Sequence, residues 1–275
     1  MVTQNLHAHC TFDDGQNTPE EMVIASLQAG LCSVGLSLHS PMPFEATWAA
    51  HARDVPDFLR CIRALREQYA GKIRVYAGVE WDVLASPLDL TVFDYVIGSV
   101  HYLPVGKRYP TVDDNEQTTQ RFLAEAFGGD ADAAAVMYFG QVERLADEPE
   151  VDVVGHFDLI TKFDERRRFF NPDSSAYRRA ALRAMEALAA AGKIFEINTG
   201  AISRGYRTAP YPSKALLCAL ARMGGRVTVS ADAHGTAGVA CAFEQAQTLA
   251  QACGFREVWQ LMPCGEGQAF IPMPW

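Results

Sequence analysis

The sequence contains no apolar run approaching the roughly 20 residues that a membrane-spanning helix requires, so no membrane partner is expected. It passes almost directly from Met1 to His7, with no charged-then-apolar leader of the secretory kind, and a soluble, cytoplasmic protein is the expectation. The seven cysteines are odd in number and include no Cys-x-x-Cys pair. Reduced and mostly buried thiols are therefore expected rather than a disulfide framework, with packing the preferred role even for Cys10 beside His9. Clustered positive charge is nearly absent. The formal net charge is -9, and the single basic run, Arg166-Arg167-Arg168, adjoins Asp164 and Glu165. That argues against nucleic acid as a partner, because duplex binding needs grouped cations to displace counterions. An acidic balance suits a protein that holds metal cations. No Gly-x-Gly-x-x-Gly follows the first strand, which removes a dinucleotide site. No Gly-x-Ser-x-Gly elbow offers a covalent nucleophile.

What is present is strand–helix alternation. Short apolar, β-branched runs fall at Ser33–Leu38, Ile73–Val79, Tyr95–Val100, Val151–Gly155, Ile194–Ile197 and Arg226–Val229, with a weaker one at Glu257–Leu261. Helical patterns separate them at Thr18–Ala29, Asp54–Tyr69, Thr118–Leu145, Ser174–Ala191, Ser213–Met223 and Val239–Cys253. Thr18-Pro19-Glu20-Glu21 has the form of a helix start, and Gly30, Gly71, Gly192 and Gly224 stand where helix ends should fall. This repetition implies an α/β fold with parallel strands, and the number of units suits a closed barrel of seven or eight. An open doubly wound sheet is the structural alternative. The 275 residues, 49% of them hydrophobic, suffice for a single domain over 1–275. The segment Leu103–Asp132 is long, polar and weakly periodic, and is expected to cap the barrel mouth.

Six of the seven histidines, His7, His9, His39, His101, His156 and His234, fall at or just after a strand end; His51 does not and reads as an ordinary surface group. Strand C-termini deliver functional groups to one rim of such barrels. His7 and His9 are two apart, as are Asp232 and His234, a spacing that turns both side chains to one face of a strand. Glu80 and Glu196 close further strands, and Asp14 lies in the loop leaving the first. Taken singly each has a dull explanation, such as turn chemistry for Asp14 or a hydrogen-bonded core group for any one His. Jointly they exceed what packing explains. Imidazoles with carboxylates suit zinc, iron or manganese, and so many candidate ligands suggest two or three divalent ions sharing a bridging carboxylate.

The ordered set His7-Ala8-His9, Asp14-Gly15, His39, Gly78-Val79-Glu80, Gly98-Ser99-Val100-His101, Gly155-His156-Phe157-Asp158, Glu196-Ile197-Asn198-Thr199 and Ser230-Ala231-Asp232-Ala233-His234 resembles the PHP (polymerase and histidinol phosphatase) superfamily, and within it the monofunctional histidinol-phosphate phosphatases. The resemblance runs from His7 to about Gly254. It implies a distorted (β/α)7 TIM-like barrel with a trinuclear site. His7, His9, Glu80 and Asp232 would hold one ion, Glu80, His101 and His156 a second, and Asp14, His39 and His234 a third. Asp14, Glu80, His101 and His234 are the implied catalytic set. One departure stands out. Many members carry an acid before the third-motif His, where this chain has Leu38, and the support of His39 should be looser.

The implied chemistry is phosphomonoester hydrolysis in histidine biosynthesis, with a bridging water activated to hydroxide between two ions and the third ion carrying phosphate charge. Arg204 and Lys162 are candidate phosphate contacts, with a surface role the alternative for each. Asp158 and Glu196 are candidate contacts to the cationic end of L-histidinol phosphate, with orientation of a ligand histidine the alternative. Three alternatives stay open. They are a related phosphoesterase acting on nucleotides or other small esters, an amidohydrolase-like barrel, and a non-catalytic metal-binding module.

Overall fold

The computed structural model describes residues 2–265 and 267–275. Seven parallel strands follow one another in chain order: β1 (Gln4–Asn5), β2 (Ser33–His39), β3 (Arg74–Asp82), β4 (Tyr95–Ser99), β5 (Val153–Val154), β6 (Ile194–Asn198) and β7 (Arg226–Ser230). Strict neighbour-to-neighbour order leaves no switch point, which excludes the doubly wound alternative. Beyond β1 and β7 the chain closes the ring. Ala8 and Ala233 pair as a parallel bridge, His9 N–H donates to Ala233 O at 2.8 Å, and Ala233 N–H donates to His7 O at 3.1 Å. The result is a nearly closed (β/α)7 barrel of the TIM-like type.

Helices α1 (Pro19–Gln28), α2 (Val55–Gln68), α3 (Glu116–Phe127), α4 (Ala131–Glu143), α5 (Ser175–Ala190), α6 (Gly200–Ser203), α7 (Lys214–Arg222) and α8 (Phe243–Cys253) alternate with the strands. The α1 start has its reciprocal cap. Glu21 Oε2 accepts from Thr18 N–H at 2.8 Å, and Thr18 Oγ1 accepts from Glu21 N–H at 3.3 Å. The long helix expected over Thr118–Leu145 is two helices. Gly128 and Gly129 both adopt positive φ, ending α3, and Asp130 caps α4 by accepting from Ala133 N–H at 2.9 Å. The polar segment before α3 does wall the mouth, bridging Tyr102 to Thr111 and Val105 to Arg108.

The weak strand at Glu257–Leu261 is no barrel strand. It opens β8 (Glu257–Cys264), which pairs antiparallel with β9 (Gly267–Pro274). Pro272 and Pro274 hid β9, since proline weakens a strand reading and is tolerated on an edge. This hairpin seals the N-terminal end of the barrel. Leu261 packs with Leu6, Tyr76, Tyr95, Ile97, Val153 and Ile194, and Gln4 holds both the N–H and the carbonyl of Leu261, at 2.8 and 3.0 Å. Inside the barrel, Tyr95 donates to Leu6 O, and its ring fills the space beside Gly35 and Gly78. A Cβ on Gly78 would come within 2.1 Å of that ring, so the two glycines are what admit a tyrosine to so narrow a core.

Cys218 on α7 and Cys253 at the end of α8 are joined as a disulfide, which corrects the expectation that every cysteine is a free thiol. The partners are 35 residues apart and meet only because α7 and α8 pack side by side. Spacing along the chain carries no sign of that. Cys10, Cys32, Cys61, Cys241 and Cys264 are free, and Cys10 is buried in the core as expected. Among the described residues no helix is long and apolar enough to cross a membrane.

Candidate metal centre

The strands deliver nine side chains to the C-terminal rim. β2 ends on His39, and its register places His39 opposite Glu80. Glu80 lies inside β3 rather than at its end, because that strand continues to Asp82. The Asp14 loop depends on Gly15, whose missing Cβ would sit 2.3 Å from Cys10 N, so the chain can fold back and donate Gly15 N–H to Cys10 O at 3.1 Å. Asp232 takes a left-handed backbone, φ 46°, an uncommon conformation for a residue with a Cβ and one that clusters at functional sites.

Glu80 is the hub. Its Oε2 lies 3.1 Å from His7 Nε2, 3.5 Å from His9 Nε2 and 3.1 Å from His39 Nδ1. Its Oε1 lies 2.9 Å from His156 Nε2 and 3.3 Å from His101 Nε2, and accepts from Ser99 Oγ at 2.7 Å. The two oxygens of one carboxylate thus face two different imidazole sets. Three groups of closely spaced donors result: His7, His9 and Asp232; Glu80, His101 and His156; and His9, Asp14, His39 and His234.

Behind these stand carboxylates that orient the rings. Glu196 accepts from His7 Nδ1 at 2.6 Å and from His156 N–H at 2.9 Å. Asp13 accepts from His9 Nδ1 and from the backbone N–H of His39, both at 2.9 Å. Asp82 accepts from His101 Nδ1 at 3.1 Å and from its N–H at 2.9 Å. A carboxylate on Nδ1–H leaves the Nε2 lone pair for the centre. His7 Nε2 and His9 Nε2 are buried and have no hydrogen-bond partner among the described residues. Orphaned buried nitrogens facing two carboxylates fit a cation, and the set of ligand atoms matches the preferences of zinc, iron or manganese.

The third group differs. Arg204 donates to His234 Nδ1 at 2.7 Å and to Asp232 Oδ2 at 2.9 Å. A guanidinium has no acceptor, so His234 Nδ1 accepts from it, while His234 Nε2 lies 3.3 Å from Asp14 Oδ1. Arg204 thus already engages this group at His234 and Asp232, whereas His9 Nε2 and His39 Nδ1 have no hydrogen-bond partner among the described residues. Metal-reconstituted protein is accordingly expected to hold between two and three ions per chain by elemental analysis, with the last bound weakest. A plateau at one ion or none would overturn a multinuclear centre.

The charges agree with this arrangement. Burial opposes ionisation of Glu80, yet His7, His101 and His39 hold its pKa well below the usual value. Burial would lower His7, but Glu196, Glu80 and Asp232 raise it well above normal. His9 is likewise raised to about 10, chiefly by Asp13, against its burial. His39 goes the other way, to about 3, through burial and the neighbouring His9.

The remaining candidate residues divide. A cavity of about 550 Å³ opens over the centre, and Arg204 and Lys162 line it. Lys162 Nζ donates to Asp113 Oδ2 at 3.0 Å; burial raises the Asp113 carboxyl, but Lys162 and His101 more than reverse this and lower it to about 2. Glu196 and Asp158 are not among the residues lining this cavity, and Glu196 takes instead the other role expected of it, orienting histidines. Glu196 faces inward from β6 to His7, while Asp158 turns aside to accept from Ser213 N–H at 3.0 Å. The acidic wall is formed instead by Glu45, Asp113 and Asp114, beside Trp48 and Tyr102. Leu38 lies buried in the core on the opposite face of β2 from His39, whose backbone is held by Asp13 from a different motif. His51 is exposed and outside the site.

A parallel barrel whose strand ends converge imidazoles and carboxylates on one glutamate defines a barrel protein with a histidine–carboxylate metal-binding site. The chain belongs to the PHP domain family, which it matches over residues 5–200. It is 31% identical to a Deinococcus radiodurans protein named "Probable histidinol-phosphatase", covering 79% of this chain and 80% of that one. It is 26% identical to a Schizosaccharomyces pombe protein of the same name, over 98% and 92% of the two chains. In fold it is similar to the histidinol phosphate phosphatase of Lactococcus lactis, solved with zinc, L-histidinol and phosphate, with a TM-score of 0.72, 21% identity and coverage of 94% of this chain and 96% of that chain.

Proposed function

We propose that this chain is a metal-dependent phosphomonoesterase that hydrolyses L-histidinol phosphate to L-histidinol and phosphate. The observation that carries the reading is the split carboxylate of Glu80 at the floor of a cavity walled by cations and acids. The names of the two curated relatives support the substrate. His7, His9 and Asp232 would hold one ion, His101 and His156 another with Glu80 shared, and Asp14, His39 and His234 a third. Bound ions supply Lewis acidity for phosphate and an activated water.

The protein's own side chains do the rest. Glu196, Asp13 and Asp82 fix the rings of His7, His9 and His101, so their donor atoms need no reorganisation. Arg204, which already spans Asp232 and His234, and Lys162 present fixed positive charge to phosphate oxygens on the cavity wall. At the outer end Glu45 and Asp114 are exposed and face a substrate's ammonium and imidazole, with the Trp48 ring available to stack on the latter.

If so, kcat/KM for histidinol phosphate should exceed that for p-nitrophenyl phosphate by at least about a hundredfold, roughly 2.7 kcal/mol of transition-state binding. Equal values for histidinol phosphate and a nucleoside monophosphate would defeat the substrate and leave a broader PHP-type phosphoesterase. No phosphate release from any ester by metal-loaded protein would favour a non-catalytic metal module.

A further inference from the structure

His7, His9 and His101 each rest Nδ1 on a carboxylate behind the ring. His39 has no such carboxylate. Both of its ring nitrogens face into the site, Nδ1 toward Glu80 at 3.1 Å and Nε2 toward Asp14 at 3.6 Å. Asp13 fixes its backbone N–H but not its ring. The torsion that turns an imidazole about its Cβ–Cγ bond is broad, so packing must set the plane of this ring.

Two flat neighbours do so. The His9 ring stacks on it with centroids 4.1 Å and planes 18° apart, and the Trp48 indole packs against it at 4.5 Å and 59°. His9 is held by Asp13, whereas Trp48 is held from outside the centre. The segment 40–51 that carries it forms no helix or strand. An indole nitrogen can only donate, and Trp48 Nε1–H donates to Tyr102 Oη at 3.0 Å, with the two rings nearly parallel at 16°. Tyr102 is fixed in turn by its bridge to Thr111 and by the Phe44 ring, edge-on at 5.0 Å. Trp48 also meets His101 at 5.1 Å, but that ring has Asp82 behind it and does not depend on the indole.

We infer that Trp48 is a positioning residue for His39, doing by ring packing what a carboxylate does for His7, His9 and His101, with Tyr102 as its anchor. The inference rests on the reading of the strand ends as a metal centre and does not depend on which ester is hydrolysed there. Its consequence is selective. Loss of the indole should loosen the ion that Asp14, His39 and His234 would hold, and spare the ions assigned to the imidazoles that carboxylates orient.

The test is calorimetric titration of metal-free protein with zinc, checked by elemental analysis, in the wild type, Trp48→Ala, Trp48→Phe and Tyr102→Phe. In Trp48→Ala the weakest zinc should bind at least about tenfold more weakly, the size of effect expected from a group behind a ligand, while the tighter zinc changes by less than about twofold. Trp48→Phe keeps a ring against His39 and should recover part of the loss. Tyr102→Phe, which removes the acceptor of the indole N–H, should show a smaller loss in the same ion. Should Trp48→Ala not fold, Tyr102→Phe decides alone. An unchanged weakest zinc, a loss shared equally by every zinc, or no recovery in Trp48→Phe would each overturn the role. A tryptophan that served only as a stacking surface for substrate would give the first of these, with its effect confined to KM. Failure of the metal centre shows instead in the wild type, as binding of one zinc or none, and would overturn the role with it.

Discussion

Glu80→Gln is expected to lower kcat by at least about a thousandfold, roughly 4 kcal/mol. Glutamine keeps the volume of the side chain but takes one negative charge from two groups at once. One Glu80 oxygen faces His7, His9 and His39 and the other faces His101 and His156, so no neighbouring acid can stand in for both. β3 pairs with β2 and β4 through its backbone, so the variant should fold with unchanged circular dichroism while retaining fewer ions on gel filtration. Near-wild-type turnover in a folded Glu80→Gln protein would rule out the bridging role.

The second large effect is on stability, and its sign differs between metal-free and metal-loaded protein. In the chelated protein His9 has a pKa raised from 6.5 to about 10, because Asp13 outweighs its burial. A group whose folded pKa lies above its unfolded one stabilises fully below the unfolded value and loses that contribution as pH rises through the folded value. Metal-free protein should therefore lose several kcal/mol between about pH 6.5 and pH 10. An ion displaces the same proton, so binding tightens with rising pH and the loaded protein should not follow this slope. Urea unfolding across that range, with His9→Gln as the control, isolates the contribution. A slope that persists unchanged in chelated His9→Gln would assign it to other groups.

These two expectations rest on residues of unequal visibility. His7, His9, His39, His101, His156 and Asp232 stand out because each lies at a strand end, where the barrel rather than local sequence brings them together. Asp13 and Asp82 did not stand out, although hints were there: Asp13 is four residues from His9 and Asp82 two from Glu80. A carboxylate that grips a ring from behind looks like a turn or surface acid until its partner is known. Glu196 is the converse case, a visible acid whose direction is set by β6 burying it against His7. The strand–helix alternation was readable from periodicity. The break at Gly128 and Gly129 was the point at which two adjoining helical patterns read as one. The Cys218–Cys253 link and the β8–β9 pairing are relations between distant segments, and a single chain carries no record of which partners meet.

That hairpin also governs traffic. With β8 and β9 packed on one end of the barrel, the cavity above Glu80 lies at the other. On the proposed function an ester would enter that cavity anion first. The organic alcohol would then be left nearest the opening and the inorganic anion deepest. Departure would be sequential, alcohol before anion, and the anion would compete with incoming ester for the innermost position.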